Sequence, residues 1–168
     1  MESVVIGAAS GMGTAVARRL AARGPMVIAD RDREPLERLA KELGDDVEVA
    51  VCDITQPDQV EGLFDGLDSV TSLVVTAGIA AVSGAPGRQI LEVNLRGTRH
   101  VLDAFDPFVR EGTSAVCFAS AGAYLVPDTP EVRRSSPSRS PPTSSTSSPR
   151  PASTSTTTSI ATTGRRRA

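Results

Sequence analysis

Tryptophan is absent from this chain of 168 residues, and tyrosine, lysine and histidine occur once each, as Tyr124, Lys41 and His100. The two cysteines, Cys52 and Cys117, sit in apolar, strand-like runs without metal-ligand spacing. A disulfide framework and a thiolate metal centre are therefore excluded, and free buried thiols are expected. No apolar run approaches the roughly 18 residues of a membrane span. No basic segment precedes the first apolar run, so no signal peptide is read and a cytoplasmic location is expected.

Charge is unevenly placed. Residues 1–132 hold all 20 acidic residues and 11 basic ones, a net of −9, whereas the last 36 residues hold seven arginines and no acid. An acidic body argues against nucleic acid as its main partner. In the last 36 residues, 31 are Ser, Thr, Pro or Arg and none is Leu, Val or Phe. Such a segment cannot offset its ordering entropy by burying apolar surface, so residues 131–168 are expected to be a disordered tail on a domain of residues 1–130.

Residues 4–20 organise the remainder. A β-branched run at 4–6 breaks into a loop with Gly7, Gly11 and Gly13 and runs directly into a helical pattern. Glycines there let the backbone turn and approach a pyrophosphate, while unpaired amides at the helix start favour negative charge. Helical spacing follows at 14–23, 34–43, 57–67 and 88–108, with apolar strand runs at 26–29, 47–51, 73–75 and 115–119. Five strands alternating with helices predict an α/β fold, a Rossmann-type doubly wound parallel sheet that takes ligands at the carboxyl ends of its strands.

Gly7-Ala8-Ala9-Ser10-Gly11-Met12-Gly13 resembles the G-x-x-x-G-x-G turn of the short-chain dehydrogenase/reductase family. The resemblance covers about residues 3–128 and implies a nicotinamide cofactor held by Gly7, Ser10, Gly11, Met12 and Gly13. Asp30, 23 residues after Gly7, stands where a carboxylate binds the adenosine ribose hydroxyls and repels a 2′-phosphate. With uncharged Ser10 in place of a basic residue, it favours NAD over NADP, while Arg31 and Arg33 read as solvated charges at a helix start. Asp53-Ile54 is similar to the pair that holds the adenine, and Ala77-Gly78 to the small pair beside the cofactor, although Val75 and Thr76 replace two asparagines. Asn94 matches the helix asparagine that organises a water in the proton relay, and Ser120 the serine that holds the substrate oxygen. His100 has no partner motif and reads as an ordinary helix-surface residue.

The family's Y-x-x-x-K is missing, because the residue four after Tyr124 is Asp128 and Lys41 lies far upstream. A phenol with an ordinary pKa of about 10 needs a neighbouring cation to exchange protons near neutrality. The expectation is a truncated member whose intact relatives transfer hydride between NAD(H) and a secondary alcohol or ketone, in the manner of hydroxysteroid dehydrogenases, and which is itself inactive. A frameshift near codon 130 of a GC-rich gene would produce both the missing dyad and the Ser/Thr/Pro/Arg composition. It is tested by whether another frame encodes Y-x-x-x-K. The alternative is a non-catalytic NAD(H)-binding sensor with a basic interaction tail. By resemblance the long helix would serve a homo-oligomer, and the fifth strand would be an exposed apolar edge.

Overall fold

Side chains alternate along the first strand, β1 (Glu2–Ile6), with Val4 and Ile6 entering one core cluster and Val5 the other. The second strand, β2 (Met26–Asp30), divides the same way, Val27 and Ala29 against Met26 and Ile28. A strand buried on both faces needs this period of two with apolar residues at every position. Full burial of one such Val, Ile or Met stabilises by about 1.5–3 kcal/mol.

Helices α1 (Gly11–Leu20) and α2 (Arg33–Leu43) close one face with Ala17, Leu36 and Leu39. Helix α3 (Pro57–Phe64) closes the other with Val60, Leu63 and Phe64. Strands β3 (Val47–Val51), β4 (Val70–Val75) and β5 (Ser114–Cys117) complete a five-stranded, all-parallel sheet in the order β3-β2-β1-β4-β5. Succession runs outward from β1 through β2 to β3 and then returns to β4 on its other side, which makes the β1/β4 junction the switch point. The register pairs Ile6 with both Ala29 and Val75, so Gly7, Asp30 and Thr76 leave the sheet at one carboxyl edge.

The computed structural model describes residues 2–120 together with Thr129 and Pro130. The chain divides into the units Met1–Ala121 and Gly122–Ala168. Expectations for Tyr124, Asp128 and residues 131–168 lie outside the described residues.

The single helix expected over 88–108 is a succession of turns: α4 (Gly87–Leu91), a π-helical segment (Glu92–Gly97), α5 (Thr98–Phe105) and a short 3-10 turn (Asp106–Phe108). Its buried anchors are Val101 and Phe105, whereas Leu91, Leu95 and Leu102 are exposed. Among the described residues β5 pairs only with β4, and all four of its residues are exposed, Val116 at 49%. The expected apolar edge is present. Of the thiols, Cys52 is buried as expected and Cys117 is exposed, because its strand lies on that edge.

Candidate functional site

The turn after β1 is built by three glycines with different tasks. Gly7 has φ +89, and a Cβ there would meet the backbone nitrogen of Ala77 and lie 2.6 Å from Thr76 Oγ1. A Cβ on Gly13 would meet the Gly7 carbonyl oxygen and lie 2.7 Å from the same hydroxyl. These two allow the turn, α1 and the end of β4 to pack against each other. Gly11, with φ +53, has nothing within 4 Å of its Cβ position. Its face is open, beside the first unpaired amides of the ten-residue α1.

Two hydroxyls lock this turn. Thr14 Oγ1 donates to the Ala8 carbonyl at 2.7 Å, and Thr76 Oγ1 lies 3.0 and 3.1 Å from the carbonyls of Ile6 and Gly7. Ser10 holds extended backbone just before α1 and makes no side-chain cap bond. Met12 is 55% exposed, consistent with a lining position rather than a core one.

Asp30 braces the turn from the neighbouring strand. Its Oδ2 accepts from the Ala9 amide at 3.0 Å and its Oδ1 from the Asp32 amide at 3.3 Å. Beyond β3, Asp53 Oδ1 accepts from the amide and the hydroxyl of Thr55 at 2.9 and 2.8 Å, which folds residues 53–55 into a tight loop. Ile54 is 4% exposed and packs on Gly97, where an added Cβ would sit 2.6 Å from Ile54 Cγ1. The Ile54 carbonyl lies 3.1 Å from His100 Nδ1. His100 is therefore not the ordinary surface residue its isolation in sequence suggested, since a partly buried position and a main-chain partner hold it in place. Cys52 also lines this wall; burial, and secondarily the Asp53 carboxylate, pushes its thiol up to about 11.

On the far lip, Asn94 makes two bonds with a single residue. Its Oδ1 accepts from the Ile79 amide at 2.7 Å and its Nδ2 donates to the Ile79 carbonyl at 2.9 Å. Gly78 lies beneath, its Cβ position 3.2 Å from that Oδ1. The Asn94 side chain thus fixes the 78–79 loop and keeps one N–H and one acceptor lone pair for water.

These segments enclose a cleft of about 320 Å³ across the β1/β4 switch point. All ten positions the sequence assigns to the cofactor line it, from Gly7, Ser10, Gly11, Met12 and Gly13 through Asp30, Asp53 and Ile54 to Ala77 and Gly78. Asn94 is not among the lining residues; it follows the lining Val93 and bonds the main chain of the lining Ile79. Ser120 follows β5 at the same edge, is exposed and is not among the lining residues. Arg31 lines the cleft, while Arg33 pairs with Glu37 on α2. The arrangement suits a dinucleotide, because the open face of Gly11 adjoins a helix N-terminus and the Asp30 and Asp53 carboxylates stand beyond it at the ends of β2 and β3.

Sequence reasoning missed Thr14, Thr76, Gly97 and His100. Thr76 carried a signal in hindsight, as a hydroxyl at the end of the strand that must face the glycine turn. Among the described residues, no group of His, Cys, Asp or Glu could hold a metal ion and no helix is long and apolar enough to cross a membrane.

Comparison with known proteins agrees with this geometry. The short chain dehydrogenase family profile matches residues 3–127. A 1-deoxy-11-beta-hydroxypentalenate dehydrogenase of Streptomyces exfoliatus is 39% identical over 106 residues, covering 60% of this chain and 38% of that protein. Among solved structures, a short-chain dehydrogenase/reductase of Brucella melitensis superposes with a TM-score of 0.67 at 28% identity, covering 74% of this chain and 56% of that one. A 3-ketoacyl-(acyl-carrier-protein) reductase of the same organism, complexed with NADH, gives 0.62 at 28% identity over 73% and 58%. The chain thus spans well under two thirds of these relatives, and the matched part carries the glycine turn, the sheet order and the cleft. On that evidence it belongs to the short-chain dehydrogenase/reductase family of oxidoreductases.

Proposed function

We propose that residues 7–78 form an NAD(H) site, and that the activity this site serves is hydride transfer between NAD(H) and a secondary alcohol or ketone. The observation that carries the reading is the convergence of ten positions, from segments far apart in sequence, on one cleft whose Gly11 face is open. The α1 amides and Gly11 would take the pyrophosphate, Asp30 the adenosine ribose, Asp53 and Ile54 the adenine, and Ala77-Gly78 the close passage of backbone beside the cofactor. A bound nicotinamide would supply or accept the hydride.

Asp30 favours NAD(H) because its charge opposes a 2′-phosphate, and Ser10 offers no compensating cation. Arg31 in the cleft wall is the counterweight. NADH and NADPH fluorescence titrations test this: NADPH should bind at least about tenfold more weakly, a difference of about 1.4 kcal/mol. Asp30→Asn should narrow that gap while keeping an acceptor for the Ala9 amide. Equal affinities in the unsubstituted protein would reject the preference.

Ser120 would hold the substrate oxygen, and Asn94 would order water. Neither can move the proton that accompanies hydride transfer, and no Tyr-Lys dyad stands in the sequence. Turnover by this chain with NAD and a panel of secondary alcohols, hydroxysteroids included, should be negligible. A rate comparable with that of an intact family member would refute this. Leu91, Leu95 and Leu102, exposed along the long helix, support a homo-oligomer through that face, to be read by analytical ultracentrifugation.

A further inference from the structure

We propose that His100 is a positioning residue for the adenine end of the cleft, acting through the Ile54 carbonyl; this rests on the dinucleotide reading above. Residues 53–55 leave β3 as a loop held to itself by the Asp53–Thr55 bonds and to α3 by the Asp53 amide, which donates to Gln59 Oε1 at 2.9 Å. Among the described residues, the hydrogen bond that joins this loop to the long helix is that of His100. A carbonyl oxygen only accepts, so Nδ1 must carry the hydrogen.

The same helix fixes the opposite lip. Asn94 clamps the Ile79 peptide from the π-helical segment, and His100, six residues on, clamps Ile54 from α5. Gly97 lies between them and lets the Ile54 side chain press directly on the helix. One continuous run of helical turns therefore ties both walls, with Asn94 as the pin on one side and His100 on the other. A flat heterocycle gains from a slot of preset width, because the loop then loses little freedom on binding.

The test compares His100→Leu, which keeps bulk and loses the donor, with His100→Asn, whose amide N–H stands where Nδ1–H stood. Titrations with NADH and with ADP-ribose should show about fivefold to tenfold weaker binding for the leucine variant, the scale of one lost hydrogen bond. The asparagine variant should recover to within about twofold of the parent. Hydrogen exchange should rise in the leucine variant at the Thr55 and Gln56 amides and stay unchanged at Val27 and Ile28 in the sheet. Parental affinity in His100→Leu, failure of His100→Asn to recover, or exchange raised throughout the sheet would each overturn the positioning role alone. A parent protein that binds neither ligand would overturn the dinucleotide reading and this inference with it.

Discussion

Gly13 and Gly11 are two residues apart in one turn, and alanine should have opposite effects at the two positions. At Gly13 the new methyl group would meet the Gly7 carbonyl, with the carbonyl carbon 2.6 Å away and Thr76 Oγ1 at 2.7 Å. Neither neighbour can rotate aside, since the Gly7 carbonyl is bonded to that hydroxyl at 3.1 Å. Helix α1 would have to withdraw from β1 and loosen the fully buried contact of Ala17 with the sheet. Alanine gains about 1 kcal/mol over glycine inside a helix, but overpacking of this kind costs about 1–3 kcal/mol or more, and here the obstacle is backbone. At the upper end of that range, which a backbone obstacle favours, the net destabilisation is about 2 kcal/mol, a large part of the roughly 5–15 kcal/mol that holds a domain together. At Gly11 the methyl group meets nothing and the cost is confined to the left-handed φ of +53, about 1 kcal/mol. That methyl would occupy the face proposed for the pyrophosphate, so NADH affinity should fall at least about tenfold while the fold survives. Urea unfolding followed by circular dichroism, with NADH fluorescence on the same samples, separates the outcomes. Equal unfolding midpoints, or a Gly11→Ala protein that binds NADH normally, would refute the division of labour.

Thr76→Val removes the hydroxyl that bridges β4 to the glycine turn and should destabilise by about 1 kcal/mol in chemical denaturation, with Thr76→Ser recovering most of it. Cys52, its thiol pushed up to about 11, should resist a thiol reagent at pH 8 until the protein is denatured, while exposed Cys117 reacts first. The raised folded value makes the Cys52 contribution to stability constant below pH about 9 and progressively lost as pH rises toward 11, visible as a falling thermal midpoint. The two-pronged Arg18–Glu42 pair, at 2.7 and 2.8 Å, holds the Glu42 carboxyl below its usual range. Its stabilisation is present above the ordinary glutamate pKa and lost as pH falls through the lowered one. The midpoint difference between parent and Glu42→Gln should therefore shrink toward pH 3, and also in molar salt.

The sheet was legible in the sequence because two-sided burial leaves an apolar run at every central strand. Residues 47–51 form β3 with the expected bounds, and the expected cores of α2 and α3 face inward at Leu36, Leu39, Val60, Leu63 and Phe64. The long helix resisted the same reasoning. A 3.6-residue period continues on either side of residues 92–97, and the π turn there tracks a tertiary contact, Ile54 against Gly97, that no local pattern carries. His100 was missed for the same reason, since its partner is a main-chain oxygen 46 residues earlier. Main-chain acceptors leave no mark on composition. Asn94, by contrast, was marked by poor helix propensity in the middle of a helix, and its two bonds to Ile79 are what offsets it.

Binding and chemistry draw on different parts of this sheet. The ten proposed nucleotide positions follow β1 to β4; β1, β2 and β4 carry the buried residues of the sheet while β3 is a half-buried edge strand, and each turn they occupy is tied to a neighbouring strand or to the long helix. Ser120 hangs from β5, whose residues are all exposed and which among the described residues has one neighbouring strand. Edge strands with little buried surface open first and hold side chains least firmly. A catalytic hydroxyl must be held within a fraction of an ångström of its working position, so an uncovered β5 costs more in turnover than in affinity. On the proposed reading, supplying a tyrosine and a lysine alone should therefore give little turnover. A strand or helix packed against the exposed Val116 and Phe118 is expected to firm the edge strand that precedes Ser120.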